Sequence, residues 1–146
     1  MTTAPILIIE DEPAVASFIQ TALERSGFVT CIAPSGVDAL ALLEQRTPFF
    51  GVISDMRTPG GVTGADVHAW IKAHRSELLG RVIFITGDIV NEETRRLLGA
   101  TGAPCIEKPF RVQQLLNAVA QHFGPLEVNP PVAGDAVILA AKDNAQ

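Results

Sequence analysis

Residues 52–61 read VISDMRTPGG. The apolar pair Val52-Ile53 has the character of a buried strand. It ends on Asp55 and breaks at once into Thr58-Pro59-Gly60-Gly61, a cluster of turn residues. Aspartate starts turns readily because its carboxylate bonds to nearby backbone amides. A strand tip can equally deliver a reactive carboxylate into a shaped pocket. The partners of Asp55 decide between these readings, and they lie in the flanking sequence.

The flanks alternate short apolar runs with amphipathic segments. Pro5–Ile9 reads as a strand, and Pro13 to Ser26 as a helix with Val15, Phe18, Ile19, Ala22 and Leu23 at helical spacing. Pro13 suits a first helical turn and Gly27 a stop. Phe28–Ala33 is strand-like. Ser35 can cap a helix that carries Val37, Leu40, Ala41 and Leu43. Phe50–Ser54 is the third strand, and Gly64 to Arg75 a helix with Val67, Trp70 and Ile71 on one face. Arg81–Thr86 is the fourth strand. Asn91 can cap a short helix bearing Leu97 and Leu98, ended by Gly99 or Gly102. Ala103–Glu107 is the fifth strand, and Arg111–Phe123 a helix with Val112, Leu115, Leu116, Val119 and Phe123 on one side. Strands and helices in alternation imply an α/β fold with a parallel sheet covered on both faces. Right-handed crossovers leave few topologies open to it.

Bulk properties agree with one globular domain. The 146 residues are 47 % hydrophobic and 18 % charged, with a net charge of −5. No cluster of Lys and Arg suggests direct contact with nucleic acid. MTTAPILII lacks the basic flank of a signal peptide, and no run approaches the ~18 apolar residues of a membrane span. Cys31 and Cys105 lie in apolar runs and read as buried free thiols of a cytoplasmic protein. After Gly124 the composition changes. Residues 125–146 read as a linker-like tail, with Pro130-Pro131 extended and Ala136–Ala141 apolar, so the domain is placed at 1–124.

In parallel sheets of this kind ligands bind beyond the carboxyl ends of the strands. The first strand ends in Glu10-Asp11-Glu12, the third in Asp55, the fourth in Thr86-Gly87-Asp88 and the fifth in Glu107-Lys108-Pro109-Phe110. Acids brought together repel unless a cation neutralises them. An all-oxygen donor set suits Mg²⁺, or Mn²⁺ in its place, and no His or Cys at these ends suggests zinc. A carboxylate nucleophile, a metal, a lysine and a hydroxyl make up a constellation for phosphoryl transfer.

These motifs resemble the receiver domain of two-component response regulators over residues 4–123. The resemblance implies the flavodoxin-like strand order 2-1-3-4-5. It implies that Asp55 is the phosphoacceptor, Thr86 the switch hydroxyl and Lys108 the phosphate-binding lysine. Glu10, Asp11, Asp55 and the backbone carbonyl of Arg57 would hold the metal, and the backbone at Met56 and Gly87 would face the phosphoryl group. A cis Lys108-Pro109 bond is also implied. Its implied partners are a histidine kinase or histidine phosphotransfer protein as donor, and a protein bound on the face of the fourth helix, fifth strand and fifth helix. A homodimer is also open, and no membrane is implied. The chain departs from the family at Thr58, where Met or Leu is usual, in a loop one residue longer before Gly64, and in Cys105, where the switch aromatic belongs. The FITGD and GAPCIEKPF stretches are similar to receivers of hybrid histidine kinases, and a stand-alone regulator is the alternative.

Two rival readings are weaker. A Mg²⁺-dependent phosphatase of the haloacid dehalogenase type needs D-x-D at the end of the first strand, where this chain has EDE. A phosphorylation-independent pseudo-receiver scaffold would have lost acids or the lysine, and none is lost. The chain therefore reads as a phosphoacceptor that catalyses only its own phosphorylation and dephosphorylation. His68, His74 and His122 are expected to be exposed or half-exposed, and Trp70 to pack. Arg57 and Asp88 are expected to face each other across the pocket mouth and to pair in the phosphorylated state.

Overall fold

The computed structural model describes residues 4–124. The expected tail at 125–146, with its apolar Ala136–Ala141, lies outside them. Five strands form one parallel sheet: β1 (Ile6–Ile9), β2 (Thr30–Ala33), β3 (Gly51–Asp55), β4 (Val82–Thr86) and β5 (Cys105–Glu107). Their order is β2-β1-β3-β4-β5, the doubly wound order expected. Five α-helices alternate with them: α1 (Pro13–Arg25), α2 (Gly36–Glu44), α3 (Gly64–His74), α4 (Glu92–Thr101) and α5 (Val112–Phe123). A short 3₁₀ turn at Ser76–Leu78, not expected, follows α3.

Strand pleating sends alternate side chains to opposite faces. Leu7, Ile9, Val52 and Phe84 enter one core with α2 and α3. Ile6, Ile8, Ile53, Ile83 and Ile85 enter the other with α1 and α5. Burial on both faces explains why these strands are apolar throughout. Gly51 is required by the second core: a Cβ there would lie 2.4 Å from the Phe123 ring. The register pairs Ile9 with Ser54, Asp55 with Ile85, and Thr86 with Glu107. All five strands thus end together at one edge of the sheet.

Several local expectations are corrected. β2 and β5 are shorter than expected, because Phe28, Val29, Ala103 and Pro104 precede the paired segments. α2 buries Gly36, Ala39 and Leu43, whereas Val37 and Ala41 are exposed. Phe18 on α1 is 42 % exposed and packs edge-on against Phe110. Cys31 and Cys105 are free, as expected, but only half-buried, since both lie in the outermost strands. His68 is buried at 7 % exposure. The sequence 64, 67, 68, 71 forms the inward face of α3, and the imidazole packs against Phe84. His74 is exposed and His122 half-exposed, as expected. Trp70 packs against the core and stacks on His74. Gly102, with φ of 70°, ends α4.

Candidate functional site

β1 and β3 run side by side, so their ends place Glu10 and Asp55 together. Both are buried, Glu10 to 1 % exposure. Lys108, just beyond β5, reaches back across the sheet edge. Its Nζ lies 3.0 Å from Asp55 Oδ2, 3.0 Å from Glu10 Oε1 and 3.5 Å from Glu12 Oε1. The bond to Asp55 is an aligned hydrogen bond, whereas the contact with Glu10 is an ion pair without that alignment. Glu10 Oε1 is therefore a buried carboxylate oxygen that no aligned hydrogen bond satisfies, among the described residues, with the Lys108 ammonium as its near counter-charge. Its other oxygen accepts from the Glu12 amide at 3.2 Å.

Burial pushes the Glu10 carboxyl above its ordinary pKa, and the Lys108 ammonium offsets only part of that rise. For Lys108 burial acts downward, but contacts with Asp55 and Glu10 outweigh it and the ammonium is held above its ordinary value. Asp11 stands exposed at the rim. Donor oxygens of Glu10, Asp11 and Asp55 come within 4.8 Å of one another. Two convergent carboxylates around an unsatisfied buried oxygen are a donor set for a hard divalent cation. The charge, the all-oxygen chemistry and the orphaned Glu10 oxygen all fit magnesium.

Thr86, at the end of β4, is buried, and its hydroxyl accepts from the Asp88 amide at 3.1 Å. Gly87 is exposed beside Lys108, and a Cβ there would make only ordinary contact with the Lys108 side chain. The Met56 amide donates to the Ile85 carbonyl at 3.3 Å, and its own carbonyl accepts from Gly64 at 2.7 Å. The Arg57 amide donates to Asp55 Oδ1 at 3.3 Å. Lys108-Pro109 is cis. Thr58 tethers the longer loop: its hydroxyl donates to the Val62 carbonyl at 2.7 Å and accepts from the Gly36 amide at 3.1 Å. That bridge gives the unusual Thr58 a role no apolar residue could fill. Gly60 and Gly61 take up the extra length with φ of 93° and 80°.

Thr94 is the residue that sequence reasoning missed. It is fully buried on α4, accepts from Arg57 Nε at 3.2 Å and donates to Asp88 Oδ2 at 3.4 Å. Its position three residues after the cap Asn91 was the available signal, because the Thr94 amide donates to Asn91 Oδ1. Cys105 occupies the place of the family's aromatic and pairs with Phe84 across the sheet. Burial, followed by the charges of Glu107 and Asp55, pushes its thiol up to about 11, so it stays protonated and unreactive near neutrality.

A five-stranded parallel sheet in this order, with acids, hydroxyl and lysine at successive strand ends, defines a receiver of the two-component type. The chain belongs to the response regulator receiver domain family, whose sequence model matches residues 6–120. It is 25 % identical over 122 residues to the polar-differentiation response regulator DivK of Brucella abortus, covering 84 % of this chain and 98 % of that one. Among solved structures it is similar to the receiver domain of NtrX from Brucella abortus, with TM-score 0.70, 28 % identity and coverage of 81 % and 97 %. The receiver domain of the sensor histidine kinase PA1611 from Pseudomonas aeruginosa shares the fold, with TM-score 0.74, 21 % identity and coverage of 85 % and 100 %. That domain was crystallised with magnesium coordinated in its active site cleft.

Proposed function

We propose that this receiver takes a phosphoryl group from a histidine kinase or histidine phosphotransfer protein onto Asp55 and switches partner binding. The observation that carries this reading is Lys108 Nζ held 3.0 Å from Asp55 beside the orphaned Glu10 oxygen. A carboxylate oxygen of Asp55 forms the new O–P bond. The N–P bond of the donor's phosphoimidazole breaks, and its electron pair returns to the imidazole nitrogen, which then takes up a proton. Hydrolysis of the acyl phosphate by water gives inorganic phosphate and restores the carboxylate.

Glu10, Asp11, Asp55 and the Arg57 carbonyl would hold magnesium, with manganese a substitute. Bound there, the ion would offset the negative charge of carboxylates and phosphoryl oxygens. Lys108 would meet a phosphoryl oxygen from the other side as a fixed positive charge. Thr86 would leave the Asp88 amide to donate its hydroxyl hydrogen to the phosphoryl group. The Gly87 amide would donate as well, and the Met56 amide would do so on leaving the Ile85 carbonyl. The switched surface is α4, β5 and α5. In this reading the chain catalyses only its own phosphorylation and dephosphorylation.

The test is the intact mass of the protein after incubation with acetyl phosphate. With Mg²⁺ it gains one phosphoryl group; with a chelator it gains none, and Asp11→Ala weakens Mg²⁺ binding measured by calorimetry. Phosphorylation that proceeds equally well in chelator would overturn the metal assignment.

A further inference from the structure

α3 and α4 do not close on each other along their length. Between them, at the end of the sheet away from Asp55, lies an open cavity of about 540 Å³. Small side chains leave this space: Ala65 and Ala69 on α3, Ala100 on α4, and Ala103 before β5. Its size falls within the ~300–1,000 Å³ of ordinary small-molecule sites. α4 is weakly anchored above it, since Thr94 is its one fully buried residue.

Lys72 supplies positive charge at this cavity, and Thr101 adds a hydroxyl. Lys72, His68 and His122 line it, and no carboxylate does. Among the described residues Lys72 has no ion-pair partner. His68 is more than nine-tenths buried, packs on Phe84, and has no hydrogen-bond partner for its ring nitrogens among the described residues. Those nitrogens are not sealed in the core but reach solvent through the open cavity, since the buried side-chain polar atom left without an aligned partner among the described residues is Glu10 Oε1. Burial first, then the Lys72 charge, lowers the His68 pKa, so the ring is neutral at pH 7 and offers one N–H donor. A largely apolar space with a free ammonium and an accessible, neutral imidazole matches an apolar body carrying one anionic head. A dication or a sugar would leave either the walls or the charges unmatched.

We propose that the α3–α4 cavity is a binding site for a small organic carboxylate with an apolar body, separate from the phosphoacceptor site. Its carboxylate meets Lys72 and His68, and its hydrocarbon lies along Ala65, Ala69 and Ala100. Bound between the helices, such a ligand holds α4 in the position seen here.

Hexanoate and hexanol are suitable probes, titrated into the full chain and followed by amide chemical shifts. Hexanoate is expected to give saturable shifts confined to residues 65–72, 79–82 and 97–104 and to His122. Hexanol, equal in hydrocarbon but uncharged, binds about tenfold more weakly, the loss of one charge-assisted contact. Lys72 is exposed, so Lys72→Gln keeps the fold; it weakens hexanoate by a similar factor and leaves hexanol unchanged. His68→Gln, which retains a donor, weakens hexanoate less than His68→Leu. Hexanoate and hexanol binding alike, insensitivity to Lys72→Gln, or shifts spread over the whole domain would each overturn the site.

Discussion

Arg57 Nε lies 3.3 Å from the Asp88 carboxylate, two residues beyond Asp55 on one side and two beyond Thr86 on the other. The two side chains, expected to pair in the phosphorylated state, are paired in this structure. Thr94 explains why: its buried hydroxyl bonds both partners, and Arg57 Nη2 also reaches the cap residue Asn91 at 3.3 Å. The loop after Asp55 is thereby tied to the first turn of α4.

The pair is about half-exposed, with side-chain exposures of 50 % and 42 %. Solvent screening limits its contribution to stability to ~0–1 kcal/mol. Its effect on water access to an acyl phosphate can be larger. Arg57→Ala and Asp88→Ala are each expected to speed dephosphorylation, by roughly threefold to tenfold, and to combine non-additively. High salt should shrink the difference from the parent protein. Phosphate release after stopping the donor measures this; additive, salt-independent rates would leave the pair without a role.

With Cys105 in place of an aromatic, little side-chain bulk is available to swing inward. Movement of Thr86 and of the Asp88–Asn91 loop is expected to carry the signal instead, because the Asp88 amide is bonded to the Thr86 hydroxyl. Amide exchange with and without beryllofluoride, a phosphoryl mimic, should change in the 86–94 segment, β5 and α5. Thr94→Val should reduce that change and cost about 1 kcal/mol through lost hydrogen bonds. Changes confined to α1 and α2 would contradict this route.

Glu10 sets a pH dependence whose sign is fixed by its raised pKa. A carboxyl that binds its proton more tightly when folded stabilises the fold at low pH, and that stabilisation is lost as pH rises from its ordinary 4.5 through the raised folded value. Without metal, Glu10→Gln is therefore expected to be more stable than the parent near neutrality, with the gap closing toward pH 4. Urea unfolding in chelator across that range measures it. A gap that widens toward acid would show that Lys108 more than offsets the burial of Glu10.

Gly64 holds the loop against Asp55. A Cβ there would lie 2.7 Å from the Asp55 carbonyl oxygen and 2.9 Å from the Phe84 ring. Backbone on one side leaves no room to yield. Gly64→Ala should cost on the order of 1–3 kcal/mol in urea unfolding and slow phosphorylation by acetyl phosphate. Full stability and full rate would mean that the loop can move away freely.

The sheet and its functional edge were legible because two signals coincide. Doubly buried strands are apolar from end to end, and each stops at a residue whose chemistry has no place in a core. Glu10, Asp55, Thr86 and Lys108 were thus found at their strand ends. Helix faces were less legible. Ala39 and Gly36 are buried on α2 because small residues allow close packing, whereas the larger Val37 faces out, so hydropathy misplaced the face. His68 is polar by type but lies on the inward stripe defined by Gly64, Val67 and Ile71. Thr94 acts through two hydrogen bonds to residues distant in the chain or across a loop, and no local pattern encodes those. The half-burial of Cys31 and Cys105 follows from strand order, since β2 and β5 are the sheet's outer strands.

The central claim is that Asp55 accepts the phosphoryl group, and phosphorylation of Asp55→Asn tests it most directly. The amide keeps the size of the carboxylate but loses the nucleophilic charge. Treated with acetyl phosphate and Mg²⁺, the parent should gain the mass of one phosphoryl group, whereas Asp55→Asn, with unchanged circular dichroism, should gain none. Uptake of a phosphoryl group by folded Asp55→Asn to the level of the parent would contradict the assignment.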